Sequence, residues 1–319
     1  MNAIRKRIED LHRYMPPLTN DPATLDRFWD AVEARYGAKP LNGTIRASES
    51  PMCGVDVYHV SYEGFDDTPI YGWYLVPAFL KQDKYPCVVI YQGYTEDKGM
   101  PERYAPWLLL GYAVFAVDPR GQGGETGNRL DYDGGGIKGW ITQNITDKDR
   151  CYYLALAVDS AKAVDWVSGR PEIDRGKIAV MGASQGGGLA LLTTAISDKV
   201  SMTIADIPNL CHLDFGIMNS TGSLTEASEY VKRNPPVLEN VLDTLSYFDI
   251  MNLAHRIRVP VHFSVGLKDL VCWPETIFAA YNRIAGEKTI EVHPFSGHEV
   301  GEYQQRLTMQ RLKRWAQHS

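Results

Sequence analysis

Apolar positions along this chain follow two periods. Over 23–36, ATLDRFWDAVEARY, Leu25, Phe28, Trp29, Val32 and Tyr36 recur at helical spacing, and Asp21-Pro22 just ahead supplies a helix start. VDVYHVSY at 55–62 alternates in character, and PIYGWYLVP at 69–77 is rich in aromatic and β-branched residues. Gly64, Asp66 and Asp67 lie between them, so the pair predicts an antiparallel hairpin. PCVVIYQG (86–93) and YAVFAVD (112–118) are instead continuous apolar runs, with a helix predicted over 102–110 between them. Such runs suit strands buried on both faces of a parallel sheet.

A helical stretch follows over about 148–168, then the strand KIAVMG (177–182), a helix over 185–197 and the strand VSMTIAD (200–206). Residues 207–250 lose strand character and hold Asn234-Pro235-Pro236, which predicts a helical, loop-rich insertion. PVHFSVG (260–266) and KTIEVHPF (288–295) are strands again, with helices over 275–285 and 301–317. About eight strands, the first two antiparallel and the rest alternating with helices, predict one α/β domain built on a doubly wound, mostly parallel sheet with helices on both faces. Residues 1–50 form a helical extension at its start. Catalytic groups then belong at the carboxyl ends of the strands.

Composition narrows the function classes. The 319 residues are 44% apolar and 23% charged, with net charge −6 and no basic tract, which argues against nucleic acid as a partner. The opening MNAIRKRIEDLHRYMPP is charged and lacks the apolar core of a secretory signal. No run reaches the roughly 18 apolar residues of a membrane span. Cys53, Cys87, Cys151, Cys211 and Cys272 lie far apart without a C-x-x-C pair, which fits a reducing cytoplasm and neither a disulfide framework nor a zinc knuckle.

The chemistry concentrates at KIAVMGASQGGG, residues 177–188. A strand runs into Gly182-Ala183-Ser184-Gln185-Gly186 and then into a helix, the context of a nucleophile elbow. Glycine stands two positions either side of Ser184 because so sharp a turn leaves no room for side chains there. A serine hydroxyl needs a base, and the base needs an orienting group. His298, beside Gly297 and just past the last strand, sits on the same sheet edge as Ser184. His293 and His262 fall inside strands, where structural roles are expected; His59 lies in the hairpin, and His212 and His255 flank the insertion. Asp269 follows the strand 260–266 on that edge, with Asp206 and Asp249 as its competitors. The order Ser184, Asp269, His298 is that of the α/β-hydrolase fold. Its oxyanion hole draws one backbone N–H from the residue after the nucleophile, Gln185, and one from the loop Gln92-Gly93-Tyr94-Thr95, assigned to Tyr94.

Three motifs together carry a family resemblance: Arg120-Gly121-Gln122, Gly182-Ala183-Ser184-Gln185-Gly186 and His298-Glu299. The chain resembles the carbohydrate esterase family 7 enzymes, the acetyl xylan esterases and cephalosporin C deacetylases, over nearly its whole length. The resemblance implies a serine esterase that removes acetyl groups from small substrates such as acetylated xylo-oligosaccharides and cephalosporin derivatives. It implies the catalytic set Ser184, Asp269 and His298, the donors Tyr94 and Gln185, and no cofactor or metal. It also implies a cytoplasmic hexamer, a trimer of dimers, with the insertion near 207–250 and a hairpin-like extension at 60–77 taking part in assembly. Arg120 and Gln122 are expected to brace the site, and Pro208 and Trp273 are the candidate pocket residues. The chain departs from the family pattern at Gln92, where histidine is common, and at Trp273, where proline is commoner.

The rival readings are a dienelactone-hydrolase-like enzyme or a peptidase on the same fold, a non-catalytic binding protein, and a scaffold subunit. A prolyl-oligopeptidase-type enzyme carries a large extra domain for which this chain has no room.

Overall fold

The structure is a computed structural model that describes residues 2–318. Two helices come first, α1 (Ala3–His12) and α2 (Pro22–Tyr36). Asp21 caps α2 by accepting the Thr24 N–H, and Pro22 occupies the first turn, where its missing N–H costs nothing. The strands are β1 (Thr44–Ala47), β2 (Asp56–Glu63), β3 (Pro69–Val76), β4 (Tyr85–Tyr91), β5 (Ala113–Val117), β6 (Ile173–Ala183), β7 (Met202–Asp206), β8 (Val261–Gly266) and β9 (Lys288–His293). Helices α3 (Ala105–Leu109), α4 (Tyr152–Ser168) and α5 (Gln185–Ile196) connect β4 to β7, and α10 (Pro274–Arg283) and α11 (Glu302–His318) flank β9. Between β7 and β8 lie α6 (Leu213–Asn219), α7 (Thr225–Arg233), α8 (Leu238–Ser246) and α9 (Ile250–Leu253).

Among the described residues the sheet has nine strands in the order β1-β2-β3-β5-β4-β6-β7-β8-β9. The pairs β1–β2, β2–β3 and β3–β5 are antiparallel and the rest are parallel. The α/β-hydrolase architecture read from the sequence is present, with one strand more than the eight expected. The extra strand, β1, is exposed at every position, so it carries no hydrophobic alternation by which to find it. The segment 60–77 is no extension: it runs through β2 and β3, inside the main sheet.

Alternation on the central strands divides the core. Cys87, Val89 and Tyr91 of β4 face the α4 and α5 side, while Val88 and Ile90 face Trp107 and Leu108 of α3 and Leu312 of α11. Helix α4 is buried nearly all round, which explains its apolar sequence: the sheet covers one face and Phe248 of the insertion meets Tyr153 on another. On α2, Trp29 is 1% exposed and its indole N–H donates to Tyr247 O at 3.1 Å. Burying a side chain of that size contributes about 2–3 kcal/mol, so the N-terminal helices are anchored to the insertion.

Strand order also fixes where chemistry belongs. From β4 the chain moves to β5 on one side, then crosses back through α4 to β6 on the other. The loops after β4 and β6 therefore part at a topological switch point, and a crevice opens between them.

Candidate active site

Ser184 stands between β6 and α5 at φ +55 and ψ −120. A non-glycine residue there costs about 1–3 kcal/mol unless its surroundings enforce it. They do: Ser184 N–H donates to Asp206 O at 3.0 Å, and Ser184 O accepts from Gly188 N at 3.0 Å and Asn209 N at 2.9 Å. A Cβ on Gly182 would lie 2.4 Å from the Gly186 carbonyl carbon, and one on Gly186 would lie 2.2 Å from Tyr91 O. Both glycines are steric requirements of the elbow.

The loops after β8 and β9 touch closely enough to unite the other two groups. A Cβ on Gly266 would meet Ser296 O and Gly297 O at 2.5 Å, and Lys268 N–H donates to Ser296 O at 3.0 Å. This contact sets His298 Nδ1 2.8 Å from Asp269 Oδ2 and His298 Nε2 2.9 Å from Ser184 Oγ. Asp269 is 1% exposed, and its other oxygen accepts the N–H groups of Val271 (2.8 Å) and Cys272 (2.9 Å). An ionised Asp269 requires the proton on Nδ1, which leaves Nε2 free to accept from the serine hydroxyl. The imidazole is partly exposed, its side chain at 27%, open to a substrate.

Cys272, whose N–H donates to Asp269 Oδ1, carries a buried thiol beside the proposed catalytic line. Burial, and secondarily the Asp269 charge, push that thiol well above its ordinary pKa, so it remains a neutral neighbour of the serine.

Gln185 opens α5, where the first N–H groups have no partner within the helix. In the loop after β4, Gly93 N–H donates to Glu96 Oε2 (3.1 Å) and Thr95 N–H to Gln122 Oε1 (2.7 Å). The Tyr94 N–H between them has no partner among the described residues. Gln122 Nε2 donates to Gln185 Oε1 (2.9 Å) and to Tyr152 OH (2.8 Å), and Tyr152 OH donates to Arg120 O (2.6 Å). One buried amide thus ties the loop after β4 to the elbow. Arg120 itself is fully buried and away from Ser184. It grips Asp159 of α4 through Nε (2.6 Å) and Nη2 (2.9 Å), and Asp66 of the β2–β3 turn at 3.1 Å.

The competitors are occupied elsewhere. Asp206 accepts from Ser264 and Gln304, each at 2.7 Å, and Asp249 from the N–H groups of His212, Leu213 and Met251. His293 pairs with Gln304, His262 with Thr289, His59 with Glu125 and His255 with Asp26. Trp273 donates its indole N–H to Asn219 O (3.0 Å) and Leu270 O (3.1 Å) and meets Phe215 edge-on, bracing the loop after β8 against α6. Pro208 is buried behind α5, its Cα 3.2 Å from where a Gly187 Cβ would stand. A cavity of about 280 Å³ beside the elbow is lined by Gln92, Gly93, Trp107, Ala183 and Asp206 among others, but by neither Pro208 nor Trp273. Larger cavities, about 460 and 510 Å³, lie at the far end of α5 and include no site residue.

Sequence reasoning missed Asp159, Glu226 and Cys272. Asp159 had a signal, a lone carboxylate in the apolar run LALAVDSAKAV; Glu226, in the polar segment TEASEYVKR, had none. Among the described residues no group of three or more His, Cys, Asp or Glu side chains is arranged to hold a metal ion.

Comparison with known proteins gives concordant results. The family model described as acetyl xylan esterase (AXE1) matches residues 1–318. The acetyl xylan esterase from Paenibacillus sp. R4 superposes with a TM-score of 0.93 at 37% identity, over 96% of this chain and 98% of that one. Acetyl xylan esterase 1 from Thermoanaerobacterium sp. JW/SL YS485 does so with a TM-score of 0.89 at 29% identity, over the same shares. The acetyl esterase Axe7A of Xylanibacter ruminicola is 26% identical over 294 residues, 89% of this chain; the chain spans 65% of that relative's length.

Proposed function

The chain belongs to the acetyl xylan esterase family, and from that premise we propose that it is a serine esterase removing acetyl groups from small acetylated substrates through an acetyl-enzyme on Ser184. The observation that carries this reading is the unbroken line Ser184 Oγ, His298 Nε2, His298 Nδ1, Asp269 Oδ2 at the carboxyl edge of the sheet. His298 takes the proton as Ser184 Oγ attacks the acetyl carbonyl. The Tyr94 and Gln185 N–H groups stabilise the oxyanion, each worth about 3–4 kcal/mol of the barrier. His298 then protonates the departing alcohol. Water, activated by the same imidazole, attacks the acetyl-enzyme, and acetate leaves as Ser184 regains its proton. Asp269 stays ionised and stabilises the imidazolium. Acetylated xylo-oligosaccharides are the proposed substrates by analogy with the named acetyl xylan esterases, and cephalosporin C by the family resemblance. A homo-oligomer, a hexamer in the family resemblance, and a cytoplasmic location belong to the same proposal; five unbridged cysteines support a reducing compartment.

The test compares wild type and Ser184→Ala on p-nitrophenyl acetate, butyrate and octanoate, acetylated xylobiose, cephalosporin C and peptide amides, with solution mass measured alongside. The proposal expects turnover of the acetyl esters, little of the octanoate or amides, and none in Ser184→Ala, which still folds. Near-wild-type turnover by Ser184→Ala, or faster cleavage of amides than of acetyl esters, would overturn it.

A further inference from the structure

Glu226 belongs to α7, in the insertion, and is remote in sequence from every residue of the catalytic line. Its carboxylate nonetheless ends at the proposed oxyanion loop. The Tyr94 hydroxyl meets Glu226 Oε1 at 2.9 Å and Oε2 at 2.8 Å, donating its proton to the carboxylate. The same hydroxyl accepts the Trp140 N–H at 3.0 Å, and the two rings meet edge to face with centroids 5.4 Å apart. Gly139 lies flat against the carboxylate: at φ +65, a Cβ there would sit 2.1 Å from Glu226 Oε1. Three segments, the loop after β4, residues 139–140 and the insertion, therefore converge on one phenolic oxygen.

Burial raises the Glu226 carboxyl pKa, and the Tyr94 hydrogen bond pulls it back. A carboxylate is an expensive way to fill that space unless its acceptors are used. What they hold is the far end of a tyrosine whose near end carries the unpartnered N–H. A tyrosine side chain has two rotatable bonds before a rigid ring, so fixing its hydroxyl restricts the backbone that bears it. The restriction matters here because Thr95, next in the chain, sits at φ +68 and the loop holds a strained conformation. Flanking contacts at Gly93 and Thr95 fix the loop's neighbours, and Glu226 fixes Tyr94 itself.

We propose that Glu226 is a positioning residue for the oxyanion hole: by gripping the Tyr94 hydroxyl it holds the Tyr94 N–H in line with the reacting carbonyl oxygen. This rests on the serine-esterase reading above, and the insertion thereby contributes to turnover without touching substrate. Transition-state donors act over a few tenths of an ångström, so loosening one lowers kcat and leaves ground-state binding nearly intact.

The experiment is a double-mutant cycle on p-nitrophenyl acetate with Tyr94→Phe, Glu226→Ala and the double variant, plus Glu226→Gln, with thermal melts of each. Glu226→Ala is expected to lower kcat by about 10- to 100-fold with KM within about twofold. The double variant should be no slower than the slower single, because both act through one hydroxyl. Glu226→Gln, whose amide oxygen still accepts from Tyr94, should recover most of the loss. Should Glu226→Ala fail to fold, Glu226→Asp keeps the charge, withdraws the acceptor by one methylene and should show the same loss of kcat. A wild-type kcat in the folded Ala or Asp variant, multiplying losses in the double variant, or Glu226→Gln as slow as Glu226→Ala would each overturn the inference. An inactive wild type, or an active Ser184→Ala, would instead overturn the esterase reading, so the two failures are told apart.

Discussion

Gln122 and Gln185 lie amide to amide, Nε2 of the first donating to Oε1 of the second at 2.9 Å. The loop after β5 is thereby joined to the nucleophile elbow. Since Gln122 also accepts the Thr95 N–H, both proposed oxyanion donors depend on this one side chain for their placement.

Gln122→Ala should accordingly lower kcat on p-nitrophenyl acetate by about tenfold or more and cost about 1–3 kcal/mol of stability, because it strands buried partners at Tyr152 and Gln185 and frees the Thr95 N–H. Kinetics and urea unfolding measure the two effects. A variant that loses stability alone would separate Gln122 from turnover.

Asp269→Asn keeps the shape of the site. One oxygen can still accept from Val271 and Cys272, but an amide NH₂ then faces His298 Nδ1 and favours the tautomer that cannot take the Ser184 proton. The expected loss is about 10³- to 10⁴-fold in kcat, with the melting temperature little changed. A loss below tenfold in steady-state kinetics would contradict the orienting role.

Arg120 is gripped by Asp159, Asp66 and Asn128, which predicts a structural role for it. Arg120→Met strands the buried Asp159 carboxylate, which costs about 3–5 kcal/mol. Asp159 is already pushed above its ordinary pKa by burial, against the pull of Arg120, and losing that pull leaves it easier still to protonate. Chemical denaturation should therefore show the variant's deficit shrinking as pH falls from neutral towards 5. A deficit independent of pH would count against the uncompensated charge as its cause.

His262, remote from the proposed catalytic line, gives a stability signature of its own. Burial, with the charges of Arg311 and Arg314, lowers its pKa from the ordinary 6.5 to about 4. The unfolded chain thus binds a proton between those values that the folded protein refuses. The contribution of a neutral His262 is complete above pH 6.5, declines as pH falls and is lost below about 4. At about 1.4 kcal/mol per tenfold change in proton affinity, it amounts to roughly 3–4 kcal/mol. His262→Gln should flatten that part of the stability curve in denaturant titrations at pH 4–7. A curve as steep as wild type would reassign the acid sensitivity.

Much of this site was legible because its constraints are local. The elbow writes itself into the sequence: Gly182 and Gly186 are demanded by backbone atoms within a few residues or on the next strand. Asp269 and His298 were found because a parallel sheet puts the ends of its strands on one edge, so following a strand is enough to place them near Ser184. Strand β1 escaped notice for the converse reason, since an exposed edge strand needs no apolar pattern. Trp273 was expected in the pocket, yet its indole N–H is bound to Asn219 and Leu270, contacts set by how the insertion packs on the loop after β8.

The sequence by itself determined the order of strands and helices, the sharp turn at Ser184 and the edge at which an acid and a base follow their strands, because hydrophobic period and steric demand act over a few residues. Only the tertiary structure decided which buried polar groups meet. Arg120 finds Asp159 and Asp66, Gln122 finds Gln185, and Glu226 finds Tyr94 across 132 positions of chain. A buried hydrogen-bonding group must be satisfied, but which distant partner satisfies it depends on how the layers pack, and no local pattern records that.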